Sequence, residues 1–215
     1  MPTLDLSHSV SEDATVYPGD PAVELAPAAT READGYRVTE VQFGSHSGTH
    51  VDAPSHTEPD GRPIDAFEPA AFVFDARIVD CSSATAREPI ERSALPEETD
   101  AELLVVRTDW DAHWGTDRYY DHPFLTPAAA EWCGANGHHV GLDALSPDPS
   151  PSRRGDERDD EPGGVPAHHA LLGRERFVIE NLTGLAELPE RVELRAYPLA
   201  LDGGDGSPVR AVAVW

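Results

Sequence analysis

The sequence predicts a β-rich α/β domain built from short mixed strands and a few helices. Three observations carry this expectation. Short apolar runs rich in Val, Ile, Phe and Leu outnumber segments with helical spacing. Pro and Gly are frequent, 20 and 17 of 215 residues, and cut the chain into short pieces. Only one segment carries a full set of helix-start signals, and strands do not alternate with helices as a regular parallel array requires. No repeats are present, and 215 residues suffice for one core, so a single domain spanning residues 1–215 is expected.

Taken in order, residues 3–8 are short and strand-like, and residues 11–21 carry turn signals ending in Tyr17-Pro18-Gly19-Asp20. Residues 36–43 alternate and read as a strand. Residues 46–56 hold too much Gly and Pro for a helix and read as an irregular strand or loop. Residues 59–69 are loop with room for a brief helical turn, residues 72–80 (FVFDARIVD) a strand, residues 90–95 a short helix, and residues 103–107 (LLVVR) a buried strand. Thr126-Pro127 opens the best helix: Thr caps, Pro takes the first helical position, AAAEWC continues, and Gly134 and Gly137 stop it. Residues 139–142 return as a strand. Residues 147–164, containing RRGDERDDEPGG, are too long for an ordinary connection and read as a lid, an insertion or a disordered segment. Residues 177–180, 193–197 and 209–215 close the chain as strands.

Charge narrows the partners. There are 40 Asp and Glu against 16 basic residues, all of them Arg, for a formal net charge of -24. Such a surface repels nucleic acid and anionic membranes and leaves a small molecule as the expected partner. The acids are spread along the chain rather than gathered in a tail, which favours adaptation to a saline cytoplasm over an acidic partner-binding module. Screening should then relieve self-repulsion, so the melting temperature is expected to rise from low to molar KCl; a flat or falling curve would count against it. Cys81 and Cys133 are far apart with no CxxC and read as two reduced, partly buried thiols. MPTLDLSHSV has neither a basic flank nor an apolar run, and no stretch approaches the ~20 apolar residues of a membrane span, so a cytoplasmic protein is expected.

The chemistry concentrates in His46-Ser47-Gly48-Thr49-His50-Val51-Asp52-Ala53-Pro54-Ser55-His56. His46, His50, Asp52 and His56 share one parity, so an extended backbone would turn them to one side. The His46/His50 spacing also fits a helix turn, but no Glu follows His46 as a zincin requires. Two neutral imidazoles with a carboxylate suit Zn²⁺, Mn²⁺ or Fe²⁺, Asp52 has two oxygens with which to bridge two ions, and His56 at the edge can move protons. The bland alternative is a set of polar loop histidines. A second cluster, His168-His169 with Glu180, is a weak signal alone, since a His before Leu-Leu is more often a helix-start or core residue, and Glu180 can be a strand-end charge. Asp143 reads as a turn former or a support for the metal site, and Trp110, Trp114, Tyr119, Tyr120 and Phe124 as core or pocket wall.

HSGTHVDAPSH resembles the HxGTHxDxPxH signature of the cyclase-like metal-dependent hydrolases, a family that includes bacterial kynurenine formamidases (arylformamidases) and isatin hydrolases. DLSH, VYPGDP, RTDWDAHWGTDRYYDHPFLT, VGLDALSPD, AHHALLGRERFVIENL and GDGSPVRAVAV are similar to further family blocks in the same order, over nearly the whole chain. The resemblance implies a swivelling β/β/α fold in homodimers or higher homo-oligomers. It implies His46, His50 and Asp52 as ligands of a first metal, with Asp52 bridging, and His168 and Glu180 as ligands of a second; His169 is the competing choice. It implies His56 as the proton shuttle, and it places Tyr17 where kynurenine formamidases carry a pocket-lining Trp. The implied cofactor is one or two divalent ions, Zn²⁺ with Mn²⁺ as the alternative. The implied reaction is hydrolysis of N-formylkynurenine to kynurenine and formate. The alternatives are opening of another small amide, lactone or isatin-like ring, and a non-catalytic metal-binding oligomer; a cupin-like oxygenase would space its histidines differently.

Overall fold

A computed structural model describes all 215 residues. Twelve strands and three helices are present. The strands are β1 (Thr3–Asp5), β2 (Glu24–Ala29), β3 (Val38–Gln42), β4 (His50–Asp52), β5 (Val73–Asp80), β6 (Pro89–Ile90), β7 (Leu103–Arg107), β8 (Phe124–Leu125), β9 (His139–Leu142), β10 (Val178–Glu180), β11 (Arg191–Pro198) and β12 (Gly206–Val214). The helices are α1 (Arg31–Asp34), α2 (Pro127–Ala135) and α3 (Pro166–Leu172). This is the α/β, strand-dominated class that the sequence predicts.

Eight strands form the main sheet in the order β1-β12-β11-β5-β7-β9-β10-β4, and β4 also pairs with β12, so all but β1 close into a ring. One edge of β12 is shared end to end: Gly206 to Pro208 pair with β4, and Val212 to Val214 pair with β1. The β5, β7, β9 and β10 neighbours run parallel, and the other pairs are antiparallel. The LLVV run of β7 shows why its apolar residues are continuous rather than alternating. Leu103 and Val105 pack inside the ring with Phe74, Ile179 and Leu194, while Leu104 and Val106 pack outside with residues of α2 and α3.

The expected helix at residue 127 is present, and the Thr126 hydroxyl accepts the Ala129 N–H at 3.3 Å. Gly134 does not stop it. It lies inside α2, where a Cβ would fall 2.5 Å from the Ala170 carbonyl oxygen, so it admits α3. Gly137, at φ +87°, takes the left-handed turn after the helix. Residues 90–95 are not an α-helix: Pro89–Ile90 pairs with β8, and a short 3-10 turn follows at Arg92–Ala94. The alternation of residues 36–43 misleads about burial, because all five residues of β3 are exposed in a two-stranded hairpin with β2. The sequence reading passed over β2, β8 and α1, and offered α3 only as a helix start at His168-His169.

The 147–164 connection has no regular element, as expected, but it is tied down. Arg87, buried, forks onto Glu161, with Nε donating to Oε1 at 2.6 Å, and its Nη1 donates to the Ser150 carbonyl at 3.0 Å. Trp110, Tyr119, Tyr120 and Phe124 are buried, and Trp114 stacks on His8 with ring centres 4.0 Å apart. No helix is long and apolar enough to cross a membrane.

Candidate metal centre

Strand register assembles the site. His50 and Asp52 are two apart on β4 and share a face; Glu180 of β10 lies directly opposite His50. Gly206 of β12 lies opposite Asp52, and a Cβ there would sit 2.7 Å from His46 Cε1, so its lack of a side chain makes room for that imidazole. His46 does not reach the site by strand parity. It sits in a turn, and Gly48, at φ +66°, redirects the chain into β4. His56 ends a 3-10 turn opened by Pro54 (Pro54–His56), and His168 comes from α3.

These residues converge. His46, His50 and Asp52 form one group, Asp52, His168 and Glu180 a second, and His46, His56 and Asp205 a third at the more open edge, each with its ligand atoms within 4.8 Å of one another. Asp52 divides its oxygens between them: Oδ1 is 2.7 Å from His46 Nδ1 and 3.3 Å from His50 Nε2, and Oδ2 is 3.5 Å from His168 Nε2. Glu180 reaches both histidines, with Oε2 3.2 Å from His50 Nε2 and Oε1 3.3 Å from His168 Nε2. His169 faces away, exposed, with Nδ1 2.8 Å from Glu58 Oε1.

The donor set fits a divalent cation. His50 Nε2, Asp52 Oδ2 and Glu180 Oε1 are buried and make no aligned hydrogen bond, although they stand close together. Unbonded buried polar atoms are costly unless something between them satisfies all of them at once. His50 Nδ1 bonds to the Gly48 carbonyl oxygen at 2.9 Å, which holds its proton there and turns the Nε2 lone pair into the cluster. Electrostatics agree. Burial acts to depress the histidines, but Asp205 and Asp52 raise His46 to about 9, and Asp52 and Glu180 raise His50 to about 10. Burial acts to raise the Asp52 carboxyl, yet His50, His168 and His46 hold it well below its usual range. The carboxylates thus favour positive charge at this point.

His56 lies beside the cluster, its ring centre 4.0 Å from that of His46 and 5.6 Å from that of His168. Burial, with some help from His46 and His168 and against the pull of Asp52, lowers its pKa below 6.5. A neutral imidazole there can accept a proton. The cluster opens into a cavity of about 230 Å³ walled by Tyr17, Asp20, Leu145, Ser146 and Val165. Burial, reinforced by Glu180, raises the Tyr17 phenol, which keeps it neutral. A larger cavity of about 450 Å³, between Arg77, Leu95 and Leu188, has no histidine in its wall.

Sequence reasoning passed over Asp148 and Asp205, which hold the outer nitrogens of His168 and His46 at 2.7 and 3.2 Å. It also passed over Asn181, whose Nδ2 donates to the Gly48 carbonyl at 3.0 Å. Each sat within a family-like block, but nothing in local spacing marked it. Asp143 does not touch the cluster; it accepts from Thr108 N, Thr108 Oγ1 and Asp109 N.

A closed sheet that gathers three histidines and two carboxylates beside a small cavity has the ligand set that a metal-dependent hydrolase needs. The model of the cyclase family matches residues 4–149. The kynurenine formamidase of Salinibacter ruber is 34% identical over 99% of this chain and 97% of its own length, and that of Bacillus cytotoxicus is 31% identical over 97% and 95%. An isatin hydrolase solved with the product analogue thioisatinate is 25% identical, with a TM-score of 0.85 over 98% of this chain and 91% of its own. The chain belongs to the cyclase family of metal-dependent hydrolases.

Proposed function

We propose that this chain is an arylformamidase that hydrolyses N-formylkynurenine to kynurenine and formate. The observation that carries the reading is the set of buried, unbonded atoms of His50, Asp52 and Glu180 beneath a cavity lined by His50, Glu180 and a neutral His56. Full-length relatives named kynurenine formamidase support the substrate. His46, His50 and Asp52 would hold one cation, and Asp52, His168 and Glu180 a second. Three imidazoles with two carboxylates suit Zn²⁺, with Mn²⁺ as the alternative. A divalent cation in this place supplies Lewis-acid activation of a water and a carbonyl. The chain's own residues do the rest. Tyr17 walls the cavity and stacks on the aryl ring. His56 takes a proton from the attacking water as the oxygen–carbon bond forms. It gives that proton to the aryl amine nitrogen as the carbon–nitrogen bond breaks.

One observation favours a second reading, opening of an isatin-like ring: an isatin hydrolase superposes on the chain with a TM-score of 0.85. Purified protein would be assayed on N-formylkynurenine, isatin and a small lactone, with elemental analysis of the same sample. Formate release far exceeding isatin opening is expected. Turnover of isatin alone would transfer the assignment to the second reading, and a sample that holds no transition ion and turns over nothing would sink both.

We also propose a homodimer or higher oligomer built on the β2–β3 hairpin. A two-stranded hairpin is marginal alone, and Tyr36, Val38 and Val41 on this one are 61, 44 and 48% exposed. Sedimentation should give at least twice the 23.2 kDa chain mass; a monomer would reject the pairing. The cytoplasm is the proposed compartment, supported by two buried, unpaired cysteines.

A further inference from the structure

We propose that Asp148 is the positioning residue that makes His168 a metal ligand, so that the second cation position depends on the start of the 147–164 connection. The inference rests on the two-position reading above. Asp148 is 1% exposed and is not among the residues that wall the cavity. Its Oδ1 accepts the Ala167 N–H at 2.8 Å. Its Oδ2 accepts the His168 backbone N–H at 3.0 Å and stands 2.7 Å from His168 Nδ1. An ionised carboxylate only accepts, so Nδ1 must carry a proton, and the lone pair belongs to Nε2. That atom is the one aimed at Asp52 Oδ2, 3.5 Å away, and Glu180 Oε1, 3.3 Å away. The carboxylate also makes the imidazole a stronger donor to a cation.

His50 shows what the alternative looks like. Its outer nitrogen bonds to a neutral carbonyl oxygen of its own segment, Gly48, two residues away. His168 instead depends on a charged group twenty positions away in sequence, whose own N–H is held by Ser146 Oγ at 3.2 Å. Ser146 lines the cavity, and Ser150 in the same segment is held by the Arg87 side chain at its carbonyl. The second position therefore needs this segment to be in place, and the first does not.

Asp148→Asn tests this. It preserves shape, but either orientation of the amide sets an NH2 against an N–H that it cannot satisfy. The orientation that faces His168 Nδ1 also forces the wrong tautomer. Metal affinity would be read by competition with a chromogenic chelator, together with metal content per chain. The expected result is a second-ion affinity weaker by about 10- to 100-fold, with the first ion unchanged. Val192→Ala, a core truncation in β11 inside the ring and away from α3, controls for lost stability alone and should leave both affinities as in the wild type. A long-range ¹H–¹⁵N imidazole spectrum of the zinc-loaded wild type needs no variant, and it should show His168 protonated at Nδ1 with Nε2 shifted by the metal. Equal affinities in Asp148→Asn and wild type, or a His168 bound through Nδ1, would overturn the role of Asp148. A wild type that binds no second ion would instead reject the two-position reading itself.

Discussion

Replacing Asp52 by Asn is expected to strip both cation positions at once and to lower formate release by about 10³-fold or more, the scale of a lost electrostatic stabiliser. The argument is geometric. Asp52 is wholly buried, and each of its oxygens serves a different group, Oδ1 with His46 and His50, Oδ2 with His168. An amide keeps the volume and removes the charge. It also offers an NH2 where an oxygen must donate a lone pair, so at least one position loses its bridge outright. The other loses the negative charge that offsets two cations placed close together. His46→Gln is the informative contrast, because His46 belongs to only one of the two groups that share Asp52; it should lose one ion per chain where Asp52→Asn loses two. Elemental analysis and initial rates on the same preparations check this. An Asp52→Asn protein that kept both ions would show that the carboxylate does not bridge.

How much of this was legible beforehand differs by residue, and the reason is the range over which each constraint acts. The strand at 103–107 announces itself because burial on both faces demands an unbroken apolar run, which is a local signal. The α2 start is likewise local, a cap followed by a proline. His46, His50, Asp52 and His56 are dense enough within eleven positions to stand out. Their shared parity, however, was only half the cause: β4 aligns His50 with Asp52, whereas turns at Gly48 and Pro54 bring in the outer two. Glu180 reaches the cluster only because β10 pairs with β4 in one register, and that register is a property of the closed ring. His168 and His169 are adjacent in sequence, and helix geometry alone separates a buried ligand candidate from an exposed partner of Glu58. Asp148 and Asp205 could not be singled out among 40 acids, since their roles depend on contacts across 20 and 159 positions. The exposed hairpin misled for the opposite reason: an alternating strand normally has a covered face, and nothing within this chain covers this one.

His56 is expected to separate binding from chemistry. His56→Ala should lower formate release by about 10²- to 10⁴-fold, the range for loss of a general acid–base group, while metal content stays at the wild-type value. The contrast with Asp52 follows from position. The donor atoms of His56 belong to neither of the two groups centred on Asp52, and its nearest carboxylate, Asp205 Oδ2, is 3.6 Å from Nδ1, beyond a good hydrogen bond. The side chain is 32% exposed at the cavity, so its removal leaves a space that water can fill rather than a buried void. Neither the fold nor the cation positions should change. What is lost is the one imidazole close enough to the cluster to receive a proton there and free enough of other bonds to pass it on. The other two histidines whose rings face it, His46 and His168, both have an outer nitrogen held by a carboxylate, which suits a fixed ligand and not a shuttle. If the alanine variant keeps its metal and its full rate, proton transfer runs through another group, and Tyr17 is the next side chain in the cavity wall to replace. If it loses its metal instead, His56 is a ligand, and the third grouping, of His46, His56 and Asp205, describes the site better than the pair centred on Asp52.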